Sequence, residues 1–373
     1  MHTSAPTLHQ EPPLAARLRD RIAREGALTF RDWMAAALYD EGGGYYRRSD
    51  LARWGRAGDY RTSPERTPLF AATFARYFAA LHEDLGAPAR WTIHEAGAGA
   101  GDFALVALET LSREHPRVFD ATRYLIDETS EASRARISAR LAPFADRVEF
   151  RSLLGAGAEA GVGVVFSNEL IDALPVHRVR ASGGRLRELC VGLDGAGNFS
   201  WVEREPSTPR LAGHFERLGV SLSEGQCAEV NLEADAWIAA CASRLARGYV
   251  VTVDYGASAP GLYDAATRRD GTLSAFRSHR ICEDLLAAPG EQDITASVNW
   301  TQLERAGRGA GLETISLEGL GGFLMRAGAL AQLESLAARA ADEGERAALL
   351  VSARELILPG GMGESFQVLV QKK

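Results

Sequence analysis

Three glycines at alternate positions, Gly97, Gly99 and Gly101, separate a run that reads as a β-strand from a run that reads as a helix. No other feature limits the fold of this chain so strongly. The stretch is WTIHEAGAGAGDF, Trp91–Phe103, with β-type residues from Trp91 to Glu95 and then apolar Phe103, Val106, Leu108 and Leu111 in a helical pattern. Strand, glycine loop and helix together form the first unit of a doubly wound nucleotide-binding sheet. Glycine suits a sharp turn at which a ligand lies against bare backbone, where a Cβ would clash. The free N–H groups of the helix start would face that ligand.

The loop alone leaves the ligand open, and a glycine-rich turn without a ligand is the plain alternative. Its spacing is not the GxGxxG of a dinucleotide site, and no GK[ST] follows as in a P-loop. The wording is closer to the first motif of class I S-adenosylmethionine (SAM) methyltransferases, with Glu95 as the acid before the loop.

Further strands follow. Arg123–Asp127 reads as the second, with Glu128 at its end, where a carboxylate can accept two hydrogen bonds from ribose hydroxyls; Asp127 is the competing candidate. Ser130 caps a helix ending near Leu141. Val148–Leu153 is a third strand and Gly163–Ser167, nearly all apolar, a fourth of the central parallel kind. That fourth strand delivers Asn168, Glu169 and Asp172 at its carboxyl end, the end that faces a ligand in open α/β sheets. On a helical turn Glu169 and Asp172 would share a face, and paired carboxylates suit a planar guanidinium. The alternative is a helix cap by Asn168 and two solvated acids. Arg185–Glu205 reads as an inserted β-hairpin. A helix over Glu233–Arg247 stops at Gly248, and Tyr249–Val253 is a fifth strand. Asp293 and Thr295 are expected to cap the next helix. Leu312–Glu318 and Glu364–Gln371 complete seven strands, with a helical stretch between them from about Ala329 to Leu356.

Outside the sheet, residues 14–38 read as helical with a break near Gly26, and Asp40–Tyr46 as a turn in which Tyr45 and Tyr46 either shape a pocket wall or only pack. Thr67-Pro68 starts a helix. Thr62 and Ser63, in the loop before it, are candidate caps or candidate holders of a carboxylate or ribose. His279, in a long loop, is a candidate general base, against the alternative of a hydrogen-bonded structural histidine.

The net charge of −7 argues against general nucleic-acid affinity. No run of about 18 apolar residues exists, so no membrane span is expected. The four cysteines, Cys190, Cys227, Cys241 and Cys282, have no CxxC or ligand spacing, which argues against a disulfide framework or metal site and makes a reducing cytoplasm the expected setting.

With these stretches assembled, the chain resembles the MidA/NDUFAF7 family of class I SAM-dependent methyltransferases. WMAAALYDEGGGYY, GDYRTSPERTPLF, EAGAGAGDF, SNELIDALPVHR, VDYG, GTLSAF with His279, PGEQDIT and MGESFQVLV carry the resemblance, from about Gly26 to the end. It implies an α/β fold, a Rossmann-like seven-stranded class I methyltransferase sheet with an N-terminal helical extension and insertions. It also implies SAM as cofactor and S-adenosylhomocysteine as product. The cofactor would lie over Gly97, Gly99 and Gly101 with Glu95 beside the loop and Glu128 on the ribose. The loop carrying Thr62, Ser63 and Pro64 would border cofactor or acceptor, as would Asn168. Family members are associated with symmetric dimethylation of a protein arginine, which fits Glu169 and Asp172. Departures are Ala98 in place of the loop proline, Ile137 in place of a glutamine, and Tyr60 in place of a phenylalanine.

The expected organisation is a disordered tail over 1–13, a helical extension over 14–90, and a methyltransferase domain over 91–373 with insertions near 185–230, 257–300 and 322–360. The expected reaction is direct displacement, with Glu169, Asp172 and His279 as candidate catalytic residues and no metal. Expected partners are a protein or small-molecule methyl acceptor, with a homodimer left open and neither nucleic acid nor membrane, in a bacterial cytoplasm. A small-molecule N- or O-methyltransferase, an NAD-linked oxidoreductase and a non-catalytic SAM-binding assembly factor are the alternatives.

Overall fold

The computed structural model describes residues 13–48, 67–155, 160–277, 280–358 and 360–373. Most of the expected N-terminal tail lies outside the described residues, and Pro13 already opens the first helix, Pro13–Glu25. The helix Phe30–Tyr39 follows the expected break at Gly26, with the Thr29 side chain accepting from the Asp32 N–H at its start. Thr67 likewise caps Pro68–Asp84. Among the described residues no helix is long and apolar enough to cross a membrane.

The main sheet is mixed. We number its principal strands β1 (Trp91–Ala96), β2 (Thr122–Asp127), β3 (Val148–Phe150), β4 (Gly161–Asn168), β5 (Leu245–Ala257), β6 (Glu313–Gly319) and β7 (Phe366–Lys372). Their order is β6-β7-β5-β4-β1-β2-β3, and a two-residue strand, Val298–Asn299, pairs with β5 as an eighth member. β1 to β5 run parallel. β7 inserts antiparallel between β5 and β6. Successive strands run outward from β1 on one side and from β4 on the other, so the order reverses between them. That switch point opens a crevice at the carboxyl ends of β1 and β4, where open α/β sheets bind ligands.

Aromatic packing fixes the sheet to its helices. Phe103, from the helix Asp102–Glu114, stacks on Phe166 of β4 with ring centroids 4.3 Å apart. Phe70, Phe74 and Phe78 of Pro68–Asp84 pack around that pair. Phe103 and Phe166 are almost fully buried, and truncating either to alanine should cost about 3–5 kcal/mol.

Several elements differ from their sequence reading. The helix read over Glu233–Arg247 is Leu232–Ser243, ending before Gly248, and a further helix, Arg210–Leu218, lies between it and the hairpin. Gly248 lies inside β5 at φ +151°, where a Cβ would collide with the Gly163 carbonyl of β4, so its role is close strand approach. The helical stretch expected from about Ala329 to Leu356 is two helices, Ala329–Ala337 and Glu343–Ile357, with Leu320–Arg326 before them and the short Met362–Ser365 directly before β7. His177–Ser182 is a further strand. It joins Arg185–Leu193, Phe199–Arg204, Cys227–Val230 and the short Leu28–Thr29 in a five-stranded sheet, so the N-terminal segment and the hairpin share one sheet. The long loop after β5 contains Ser274–Arg277, Arg280–Ile281 and Asp293–Thr295, paired as a third sheet. Asp293 and Thr295 therefore do not cap a helix; Asn299 does, its side chain accepting from the Gln302 N–H.

Candidate active site

A cleft of about 630 Å³ opens at the switch point. Its floor begins with the glycine loop. Gly97, Gly99 and Gly101 all take left-handed backbone angles, at φ +73°, +55° and +82°, which turn the chain from β1 into the helix Asp102–Glu114. The Gly97 N–H donates to the Asp127 carbonyl at 3.3 Å and the Gly101 N–H to the Ala98 carbonyl at 2.8 Å. Gly97 and Gly99 line the cleft. Gly101 is not among its lining residues; a Cβ there would face Ile137 at 3.3 Å, so it closes the loop against the helix Glu131–Arg140.

Glu95 lies buried beneath the loop and accepts the Tyr124 hydroxyl at 2.7 Å. Burial pushes its carboxyl up to about 7, the Tyr124 bond offsetting part of the rise and the Asp102 charge adding to it.

At the end of β2, Asp127 and Glu128 both line the cleft. The Asp127 carboxylate accepts the Leu153 N–H at 2.9 Å and so holds the loop after β3. Glu128 accepts the Ser130 N–H at 2.7 Å, and Ser130 caps the helix Glu131–Arg140. Each of the two acids thus accepts one backbone N–H and stands at the cleft, Glu128 at the helix entrance.

The other half of the cleft hangs from β4 and β5. Glu169 leaves β4 at φ +50°, a left-handed conformation rare for a side chain of this kind, and its N–H donates to the Val253 carbonyl at 3.0 Å. Residues 169–174 form a turn and not the expected helix. The turn is folded around Asp254, whose Oδ2 accepts the Ile171 N–H at 3.0 Å and the Asp172 N–H at 3.3 Å. It still brings Asn168, Glu169 and Asp172 onto the cleft. The Asn168 amide donates to Glu169 Oε1 at 3.0 Å. Burial raises the Asp172 carboxyl well above the usual carboxylate range, the Glu169 charge raises it further, and the neighbouring Tyr255 hydroxyl offsets part. Asp254, fully buried, is raised by burial and then by Asp172.

Two buried oxygens at this end of the cleft, Asn168 Oδ1 and Asp172 Oδ1, have no close hydrogen-bond partner among the described residues, while the Tyr255 hydroxyl engages Thr295. Aromatic rings face them. Tyr39 donates to the Ala173 carbonyl at 2.9 Å and stacks on Tyr46 with ring centroids 5.4 Å apart. Tyr255 and Phe276 extend this wall. Tyr46 belongs to it, whereas Tyr45 is fully buried and is not among the lining residues.

The structure therefore gathers Glu95, Gly97, Gly99, Glu128, Asn168, Glu169 and Asp172 around one cleft. Thr62, Ser63, Pro64 and His279 lie outside the described residues. Among the described residues no group of His, Cys, Asp and Glu is arranged to hold a metal ion. Reading the sequence missed Tyr39, Arg47, Asp254 and Tyr255 as site residues. Asp254 and Tyr255 carried the same signal as Asn168, polar groups leaving the carboxyl end of a buried strand. Tyr39 and Arg47, on a helix end and a glycine turn far along the chain, carried none.

Comparison with known proteins agrees with this geometry. The family profile described as "Putative S-adenosyl-L-methionine-dependent methyltransferase" matches residues 73–317. The mitochondrial protein named protein arginine methyltransferase NDUFAF7 homolog of Drosophila melanogaster is 26% identical over 383 residues, 95% of this chain and 84% of that protein. Its Homo sapiens counterpart is 25% identical over 390 residues, 95% of this chain and 82% of that protein. A crystal structure of a protein from Burkholderia thailandensis bound to S-adenosyl-homocysteine superposes with a TM-score of 0.87 at 31% identity, over 100% of this chain and 95% of that chain.

Proposed function

The chain belongs to the family of S-adenosyl-L-methionine-dependent methyltransferases, and from that premise we propose that its methyl acceptor is a nitrogen, specifically the guanidinium of a protein arginine. One observation carries the choice of acceptor. The β4–β5 end of the cleft sets two buried acceptor oxygens without a close partner among the described residues, Asn168 Oδ1 and Asp172 Oδ1, beside the Glu169 carboxylate. Buried acceptors without donors are costly, so the site favours a group rich in N–H donors and positively charged. A guanidinium has five donors and no acceptor, and its flat face fits the aromatic wall of Tyr39, Tyr46, Tyr255 and Phe276.

The cleft residues fit the cofactor. The left-handed glycine loop leaves only small side chains on the floor, Glu95 lies under the loop, and Glu128, at the carboxyl end of β2, would accept from the ribose hydroxyls. Thr62, Ser63 and Pro64 would complete that border. When bound, SAM supplies a methyl group already activated by its sulfonium charge. The work left to the protein is alignment and handling of one proton. Glu169 and Asp172 would orient the guanidinium fork and accept the proton it releases on methylation. The raised carboxyl of Asp172 suits it to that exchange near neutral pH. His279 would be a second proton carrier.

The test is methyl transfer itself. The purified protein, supplied with methyl-labelled SAM and extract from a strain lacking it, should label a discrete protein band on arginine nitrogen. Label confined to small molecules, or to oxygen, would overturn the arginine reading. SAM binding without any transfer would favour a non-catalytic assembly factor.

A further inference from the structure

Seven acidic side chains line the cleft, namely Glu95, Asp102, Asp127, Glu128, Glu169, Asp172 and Asp293; among the described residues a single cationic one, Arg47, joins them. The position of Arg47 is well fixed. Its backbone N–H donates to the Gly44 carbonyl at 2.9 Å, and the preceding Tyr46 is stacked on Tyr39 and donates to Asp293 at 2.7 Å. Its neighbour Arg48 turns to Glu291, 3.7 Å away. Arg47 instead faces the cleft, and its Nε is buried with no hydrogen-bond partner among the described residues.

The family's cofactor has one negative group, the α-carboxylate of its methionyl end. A carboxylate brought into a cleft walled by seven acids needs a cation, because both desolvation and like-charge repulsion oppose it. The glycine loop is poorly placed to supply the whole of that need. Its Gly97 and Gly101 N–H groups are committed to chain carbonyls, and the first helical turn already holds Asp102, paired with Arg140. We infer that Arg47 binds the α-carboxylate of the cofactor, its guanidinium fork meeting the two oxygens. Arg47 would then set the acidic cleft's preference for an intact amino-acid end. The inference rests on SAM being the cofactor and is independent of the acceptor.

Calorimetry with two ligands separates the possibilities. S-adenosylhomocysteine keeps the carboxylate; its decarboxylated analogue, S-adenosyl-3-thiopropylamine, lacks only that group. The unmodified protein should prefer the former by about 10- to 100-fold. Arg47→Met should remove that preference by weakening S-adenosylhomocysteine while leaving the analogue within about threefold. Arg47→Lys, which keeps the charge without the fork, should lose less. Equal weakening of both ligands would reduce Arg47 to a structural role and overturn the inference. So would unchanged S-adenosylhomocysteine affinity in Arg47→Met, which with a raised KM for the acceptor would assign Arg47 to an anionic acceptor. If the substitutions prevent folding, equal affinity of the unmodified protein for the two ligands still overturns it. Failure of the unmodified protein to bind S-adenosylhomocysteine at all would instead count against the cofactor.

Discussion

Tyr46 donates a 2.7 Å hydrogen bond to Asp293, 247 residues away in the chain, and in doing so joins the glycine turn near the N-terminus to the sheet that follows β5. Both residues line the same cleft as Glu169 and Asp172. That end of the cleft, the acceptor half in the proposed reading, is thus assembled from three separate stretches of sequence. Its shape depends on side-chain bonds between them as well as on the main sheet.

Removing that bond should be felt in acceptor binding more than in cofactor binding. Tyr46→Phe keeps the ring and its stacking on Tyr39 and deletes only the hydroxyl. A hydrogen bond to a buried carboxylate contributes about 1–3 kcal/mol, so a lowered melting temperature and a raised acceptor KM are expected. S-adenosylhomocysteine affinity, measured by calorimetry, should fall less, because the Tyr39 stack and the Gly44 carbonyl still hold Arg47. A loss confined to cofactor affinity would show that the Tyr46 wall serves the other half of the cleft.

Glu169→Gln should retain cofactor binding and lose turnover by about 10²- to 10⁴-fold, the range for a group that orients an acceptor and handles its proton. Undiminished transfer would remove Glu169 from the mechanism. The pH profile adds a second readout. A base works only when deprotonated, and burial together with the Glu169 charge raises the Asp172 carboxyl. Turnover should therefore fall on acidification at a pH higher than an ordinary aspartate would give. Since Glu169→Gln deletes the charge that helps hold Asp172 up, the residual activity of that variant should fall at a lower pH than in the unmodified protein.

The half of the site closest to the glycine loop was legible in the sequence because it is local. Strand, loop and helix are contiguous, and Glu128 and Asn168 follow directly from strands whose apolar runs give them away. The same alternation marked the principal strands along the chain, but not their order in the sheet, where β7 inserts antiparallel between β5 and β6. Glu169 and Asp172 were placed correctly but for a different reason. Their spacing suggested a helix, whereas the buried Asp254 carboxylate gathers the Ile171 and Asp172 N–H groups into a turn and leaves Glu169 left-handed. Sequence periodicity has no term for a carboxylate that arrives from a strand 82 residues on. Asp293 and Thr295 were misread because a polar pair just before a helical run looks like a cap. Asn299 stands immediately before Trp300 and takes that role, which frees the DIT segment to pair with Ser274–Arg277.

At the loop itself, Gly99→Val should abolish cofactor binding. Gly99 lines the cleft at φ +55°, so a valine there would be strained as well as bulky. Titration of the folded variant with S-adenosylhomocysteine should show no heat of binding. Retained affinity would mean that the ligand does not lie against this backbone.

Glu95 makes the stability of the cofactor-free protein depend on pH in an unusual direction. Most paired carboxylates have depressed pKa values and stabilise a protein as pH rises. Burial does the opposite here, holding the Glu95 carboxyl up at about 7 from an unfolded value of 4.5. The contribution is therefore fully present below the unfolded value and is lost as pH rises through the folded one. In the native state, above pH 7, a charged carboxylate must be kept under the loop with only the Tyr124 hydroxyl as its recorded side-chain donor. The shift corresponds to about 3 kcal/mol between pH 4 and pH 8. Glu95→Gln keeps a polar group beside Tyr124 and cannot ionise. Its unfolding free energy, from urea titrations without cofactor, should change less across that interval than that of the unmodified protein. Parallel pH profiles for the two would show that Glu95 is charged and well solvated in the native state, and would remove burial as the cause.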